Sequence, residues 1–264
     1  MLALRVAYDG YPYHGSQRQP HHPTIEGELL RAFWKTSFLP KNEVPPLFRF
    51  ASRTDKGGSA RENILFIGGQ AGSLFRHNEL QRMTKHLEDI WITGYTTMPY
   101  HPPYIKEYHY HLGIEEYPIP LLNELCTIFS GTHDFSLFCR RRESKSPYRT
   151  LSMTFRMEHG DTCLIFRGPG FLWQMCRRIV SAFYKVREGS MHVDDVVAML
   201  REPHGHKMPP ATASQLLLYS VDVNAPFHDF GPARKKMRDY YEEKANASLA
   251  RYHVSLDVLN GTEH

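Results

Sequence analysis

The segment Arg53-Thr54-Asp55-Lys56-Gly57-Gly58 sets one carboxylate between two cations, just after an expected strand, with glycines behind it that let the backbone turn sharply. An ionised carboxylate held there can serve as a nucleophile or a general base. The same Asp is also the usual turn residue that bonds its own backbone. Arg140, Arg141, Arg142, Lys145 and Arg149 make the densest basic cluster, opposed only by Glu143, and read either as a surface for a polyanion or as a solvated loop. His21-His22 and His204-Gly205-His206 invite a metal reading. Neither has the HExxH arrangement or neighbouring cysteines, and flanking prolines make both look like exposed turns, so no metal site is expected.

The elements that must hold these groups follow from periodicity. Leu2, Leu4, Val6 and Tyr8 recur every second residue and predict a strand, closed by the turn residues Asp9-Gly10-Tyr11-Pro12. Thr24 can cap a helix through Ile25, Leu29 and Phe33, with Glu26 and Glu28 in its first turns. Strands are expected at 48–52 and 64–67, a helix through Leu80, Met83 and Leu87, and a strand near 90–95. Pro99, Pro102 and Pro103 interrupt the pattern and mark a boundary. Beyond it the spacing predicts a strand over 105–114, a helix over 121–129, strands over 151–157 and 163–167, helices over 171–186 and 193–200, and a strand over 216–221. The expected organisation is an N-terminal α+β half (1–100), a C-terminal α+β half (101–223) and a polar, partly helical tail (224–264), with 234–247 as a solvent-facing helix.

Tyr108 and Tyr110 share one face of the 105–114 strand, where sheet aromatics are ordinary. Arg177 lies about 200° round the 171–186 helix from Met175 and so leaves the apolar stripe of Phe171, Met175, Ile179 and Phe183. It faces either a cleft or solvent.

Composition bounds the partners. The 264 residues carry 32 Lys plus Arg against 28 Asp plus Glu, a mildly basic balance that permits a polyanion without requiring one. At 41% hydrophobic the chain can build a core, which excludes wholesale disorder. Cys126, Cys139, Cys163 and Cys176 match neither a CxxC zinc pair nor a disulfide framework, which suits a reducing, cytoplasmic setting. Neither a signal-peptide core nor an 18-residue apolar run is present, so no membrane span is expected.

Five blocks then match one family in order. Tyr8-Asp9-Gly10-Tyr11-Pro12-Tyr13-His14-Gly15-Ser16-Gln17-Arg18-Gln19 resembles the YDGxxYxGxQ loop of TruA-type tRNA pseudouridine synthases, and Arg53-Thr54-Asp55-Lys56-Gly57 their RTDxG loop. Lys106-Glu107-Tyr108-His109-Tyr110 is similar to the family's RxYxY strand. The stretch from Phe171 through Met175 and Arg177 to Val180 is similar to its FxxxMVRxIV helix, and Asp134-Phe135-Ser136-Leu137-Phe138 to a further block. The chain departs from the family at Ser16, where a Trp is usual, at Gly58-Ser59, where Val-His is usual, and at Tyr100-His101-Pro102-Pro103, where FHAR is usual.

The resemblance implies an α+β pseudouridine synthase fold, with two ferredoxin- or RRM-like halves joined in one long mixed sheet flanked by helices. It also implies a reaction, the isomerisation of uridine to pseudouridine in the anticodon stem-loop of tRNA, at positions 38 to 40, by a cytoplasmic homodimer without a cofactor. By the same resemblance Asp55 is the essential carboxylate, Arg177 its partner, and Tyr108 a ring for the uracil. Arg53 supports the space an everted base leaves, and Gln17, Arg18, Arg178 and the cluster Arg140, Arg141, Arg142 and Lys145 contact RNA. The changes at Gly58-Ser59 leave one competing expectation, a tRNA-binding protein of the same fold without activity. A metal-dependent nuclease using the histidines is a weaker one.

Overall fold

The computed structural model describes residues 1–69, 75, 77–102, 104–113, 116–140 and 146–261. Strand β1 (Leu2–Tyr8) is buried along its length except at Arg5, because it runs antiparallel between β3 (Ser59–Ile67) and β4 (Ile90–Thr97). Helix α1 (Ile25–Lys35) starts where Thr24 caps it, the Thr24 hydroxyl accepting from the Gly27 N–H at 3.3 Å. Its buried face, Ile25, Leu29, Leu30 and Phe33, joins the core over the first strands. Then come β2 (Phe48–Phe50), α2 (His77–Thr84) and, beyond β4, β5 (Ile105–His111), α3 (Ile119–Phe129), β6 (Gly131–Asp134) and a 3-10 turn at Ser136–Phe138. The chain continues through β7 (Tyr148–Glu158), β8 (Asp161–Gly168), α4 (Met175–Arg187), α5 (Val193–Arg201), β9 (Leu216–Asp222), β10 (His228–Asp229) and α6 (Gly231–Gly261).

Among the described residues ten strands form one mixed sheet in the order β10-β4-β1-β3-β9-β5-β8-β7-β6, with β2 paired to β3 off that path. The order β4-β1-β3-β2 recurs as β9-β5-β8-β7, which is the expected pair of ferredoxin-like sheets end to end. The seam between them is parallel and short: Ser59 pairs Leu217 and Ala60 pairs Leu218. Farther along β3, Phe50 of β2 pairs Leu65. Strand β3 thus has β9 beside its start and β2 beside its end, and residues 51–58 emerge between the two. The loop carrying Asp55 is therefore placed at the seam by strand pairing.

The helix carrying Arg177 is fixed by aromatic packing. Phe129 of α3 lies 5.3 Å from Phe138 and 6.0 Å from Phe183 of α4, ring to ring, and all three are fully buried. Burial of each contributes roughly 2 to 3 kcal/mol.

Several boundaries differ from the periodicity reading. Strand β3 begins at Ser59 rather than at 64, because Ala60 pairs with both Tyr8 and Leu218 while the polar Arg61-Glu62 hides the alternation. Helix α2 stops at Thr84, although Leu87 is still buried. Strand β5 ends at His111, and α3 starts two residues early, with a proline at its first turn. The helix expected from Phe171 starts at Met175, because Gln174 takes left-handed backbone with φ of 63°. The terminal helix runs from Gly231 to Gly261, and its first part is not free in solvent. Ala233 is fully buried and the Tyr240 ring lies 5.0 Å from that of Trp91. Strands β6 and β10 were too short to register as patterns. Among the described residues no helix is long and apolar enough to cross a membrane.

Candidate active site at the sheet seam

The Asp55 loop is held at both ends. At its start Asn63, fully buried on β3, donates from Nδ2 to the Ser52 carbonyl at 2.8 Å and accepts the Ser52 N–H at 3.2 Å, continuing with a side chain the pairing that β2 began. At its end the Gly58 N–H donates to the Asp55 carbonyl at 3.0 Å, and Gly57 takes φ of 81°, a conformation glycine adopts without strain. From below, Ser16 and Tyr13 grip the loop: the Ser16 N–H donates to the Thr54 carbonyl, Ser16 Oγ accepts the Thr54 N–H, and the Gly57 N–H donates to the Tyr13 carbonyl. Gly10 packs so closely that a Cβ there would lie 1.9 Å from the Gly58 carbonyl oxygen.

The Asp55 carboxylate projects from this loop to α4. Arg177 donates from Nη1 to Asp55 Oδ2 at 2.7 Å, and its Nε donates to the Ala211 carbonyl at 2.6 Å, so the guanidinium is fixed on two sides. The pair is partly shielded, with side-chain exposures of 14% for Arg177 and 24% for Asp55. The other oxygen, Oδ1, accepts from the indole Nε1 of Trp173 at 2.9 Å.

Tyr108 reaches the same loop from β5. Its hydroxyl lies 2.6 Å from Ser52 Oγ and donates to the Arg53 carbonyl at 3.3 Å, while Phe171 meets its ring edge-on at 5.1 Å. Burial pushes the phenol far above its usual range, outweighing the Ser52 hydrogen bond, so the hydroxyl keeps its proton. Tyr8 stands next in the network, its hydroxyl 3.0 Å from Thr54 Oγ1 and 3.2 Å from the Asn63 amide. Burial raises its pKa to about 12, against the bonds from Thr54 and Asn63.

Other expected site residues divide. Arg53 is exposed on irregular backbone, two positions before Asp55. Arg140 is exposed, with its guanidinium 4.4 Å from the Trp173 ring centre and its N–H donating to the Trp173 carbonyl at 2.9 Å. Gln17 and Arg18 are exposed on the loop before α1, where the Arg18 N–H donates to Glu26. Arg178 is turned inward: its guanidinium holds the Gln174 side-chain oxygen (2.9 Å from Nη2) and the Met208 carbonyl, and burial lowers its pKa. Arg141, Arg142 and Lys145 lie outside the described residues. Trp173, Ser16, Ser52 and Asn63 were not expected in the site. Only Ser16 carried a signal, as a departure from the family pattern.

Of the histidine groups, the rings of His22 and His14 are stacked at 4.3 Å, and His204 Nδ1 lies 3.1 Å from the Glu202 carbonyl. Among the described residues no group of three or more His, Cys, Asp or Glu is placed to hold a metal ion.

Comparison with known proteins agrees with this geometry. Residues 125–224 match the family model described as tRNA pseudouridine synthase. The chain is 34% identical to tRNA pseudouridine synthase A of Thermococcus gammatolerans over 266 aligned positions, covering 98% of each chain. It is 34% identical to the enzyme of the same name from Pyrococcus furiosus, again over 98% of each. With that of Methanothermobacter thermautotrophicus it shares 32% identity over 94% of this chain and 88% of the relative.

Proposed function

The chain belongs to the tRNA pseudouridine synthase family and isomerises uridine to pseudouridine in tRNA, and from that premise we propose that Asp55 is its reacting carboxylate. The reaction breaks the bond from uracil N1 to ribose C1′ and joins C5 to the same carbon; N1 gains a proton and C5 loses one. No outside group and no redox change is needed, so the chemistry asks for one carboxylate with access to the nucleoside.

The observation that carries the proposal is the Asp55–Arg177 pair: a carboxylate fixed by a loop gripped at both ends, with a guanidinium on one oxygen as its countercharge. Arg177 anchors Oδ2 so that Oδ1 is the oxygen presented to the nucleoside. A base within a helical stem reaches it only by everting, at a cost of a few kcal/mol. The exposed Arg53 supports the vacated space, and Tyr108, its hydroxyl turned into the loop, offers its ring to the uracil. Arg18, Gln17 and the Arg140 to Lys145 cluster meet the RNA backbone.

The same reading extends to uridines at positions 38 to 40 of the anticodon stem-loop, to action as a cytoplasmic homodimer, and to a division into halves 1–100 and 101–223 with a tail from 224.

Tritium release from C5-labelled uridine in a tRNA transcript tests the proposal. Activity in the unaltered protein and none in Asp55→Asn, with transcript binding retained, is the expected result. Release by Asp55→Asn at the unaltered rate overturns it, and a base-resolution map of the product decides the target positions.

A further inference from the structure

Both oxygens of the Asp55 carboxylate hold a donor, and the two donors are held differently. Arg177 sits on α4, is 14% exposed, and is tied by its Nε to the Ala211 carbonyl. Trp173 lies in the turn before that helix, is 43% exposed, and rests its indole N–H on Oδ1 at 2.9 Å. One acceptor site on each oxygen is thus filled, and an entering nucleoside competes with these donors for the carboxylate. The exposed donor is the one a ligand can reach.

We infer that Trp173 is a residue of the uridine site: it covers Asp55 Oδ1 while the site is empty and yields that oxygen to the entering nucleoside. A donor of the nucleoside, the uracil N3–H or the ribose 2′-hydroxyl, then replaces the indole N–H. The inference rests on the reading of Asp55 as the reacting carboxylate.

The backbone around Trp173 is built to aim it. Gln174 takes the left-handed conformation that non-glycine residues seldom adopt, and Arg178 holds the Gln174 side-chain oxygen through Nε at 3.3 Å and Nη2 at 2.9 Å. Arg178 also reaches the Met208 carbonyl, which ties this turn to a separate segment. On its other side Trp173 carries the Arg140 guanidinium over its ring at 4.4 Å, and its carbonyl accepts the Arg140 N–H. When the indole leaves Oδ1 it remains at the mouth of the site with a cation on its face, an arrangement that can stack on a nucleotide beside the everted one.

Trp173→Phe keeps a ring beneath Arg140 and removes only the N–H. Measured on the full chain with an unmodified tRNA transcript, it is expected to lower KM by about three- to tenfold while changing kcat by less than about twofold, because the lost bond belongs to the free protein and not to the complex. Tryptophan emission gives an independent reading. Transcript binding to Asp55→Asn should change it, and the change should vanish in the Asp55→Asn, Trp173→Phe double variant, which keeps Trp34 and Trp91 as internal background. An unchanged KM together with an unchanged emission overturns the inference, and so does a fall in kcat at constant KM, since the N–H would then serve the transition state. If Asp55→Asn still makes pseudouridine, the underlying reading of Asp55 fails. If Asp55→Asn is inactive and Trp173→Phe behaves as the unaltered protein, this inference alone fails.

Discussion

Ser16 and Thr54 exchange two hydrogen bonds across 38 residues of chain, the Ser16 N–H donating to the Thr54 carbonyl at 3.1 Å and the Ser16 hydroxyl accepting the Thr54 N–H at 3.0 Å. Ser16 is 1% exposed, so water cannot replace its hydroxyl if it is lost. One of the residues that depart from the family pattern thus fixes the backbone next to Asp55. Ser16→Ala leaves a shielded N–H without an acceptor, at a cost of about 1 to 3 kcal/mol. Denaturant unfolding should show that loss, and kcat should fall roughly tenfold, since a small misplacement of a reacting group is expensive. Unchanged kcat with lowered stability would mean that Asp55 finds its position without this grip.

Arg177 makes two contacts in fixed directions, to Asp55 Oδ2 and to the Ala211 carbonyl. A lysine carries the charge but offers a single ammonium on a flexible stem, so it cannot span both. Arg177→Lys is therefore expected to lose about tenfold to hundredfold in kcat, with tRNA affinity within about threefold. Arg177→Ala should lose more, because the carboxylate then loses its guanidinium partner altogether. Equal rates for Lys and Arg at this position would reduce its role to net charge alone.

The local half of this site could be read from one dimension, and the cross-chain half could not. Thr24 capping α1, the alternation of β1, and the angular displacement of Arg177 from the Met175, Ile179 and Phe183 stripe are properties of a few neighbouring residues, and each is found as expected. The left-handed turn at Gln174 is invisible in a run whose apolar spacing continues through it, because the cause lies in Arg178 and the distant Met208 carbonyl. The Trp173–Asp55 bond joins residues 118 apart, and the clamp on Asp9 by α6 spans more than 230, distances at which no periodicity carries information. The true start of β3 was hidden because a bulge and two charged residues break its alternation.

Asp9, just before the turn that abuts the Asp55 loop, is 6% exposed and accepts the Tyr240 hydroxyl at 2.8 Å and the Lys244 ammonium. Burial alone would raise its pKa. The bonds from Lys244, the Tyr11 N–H and Tyr240 outweigh that and hold it below the usual carboxylate value. A carboxyl with a depressed folded-state pKa contributes stability that is complete above its unfolded pKa, about 3.9, and is lost as pH falls through the folded value. Unfolding free energy measured from neutral pH downward should therefore decline below about pH 4, and Asp9→Asn should remove part of that decline while lowering stability at pH 7. Lys244→Met, which removes the charge and keeps the stem, should lower stability at pH 7 and reduce the acid slope in the same way. A slope untouched by either change would show that other carboxylates govern acid unfolding.

Exposed and inward-turned arginines should separate by their salt dependence. Binding to a polyanion releases condensed counterions, so the logarithm of affinity falls linearly with the logarithm of salt, by about 0.7 to 0.9 per phosphate neutralised. Arg18, Arg53 and Arg140 are exposed around the seam, whereas the Arg178 guanidinium is occupied by Gln174 and Met208. Transcript binding measured between about 50 and 300 mM salt should weaken steeply, with a slope reflecting several phosphates. Arg140→Ala should reduce that slope by about one contact, weakening binding similarly for transcripts of different sequence, because phosphates carry no base identity. Arg178→Ala should leave the slope as it was and alter KM instead, through the Gln174 turn that aims Trp173. A slope lowered as much by Arg178→Ala as by Arg140→Ala would mean that the Arg178 guanidinium leaves Met208 on binding and meets the RNA itself.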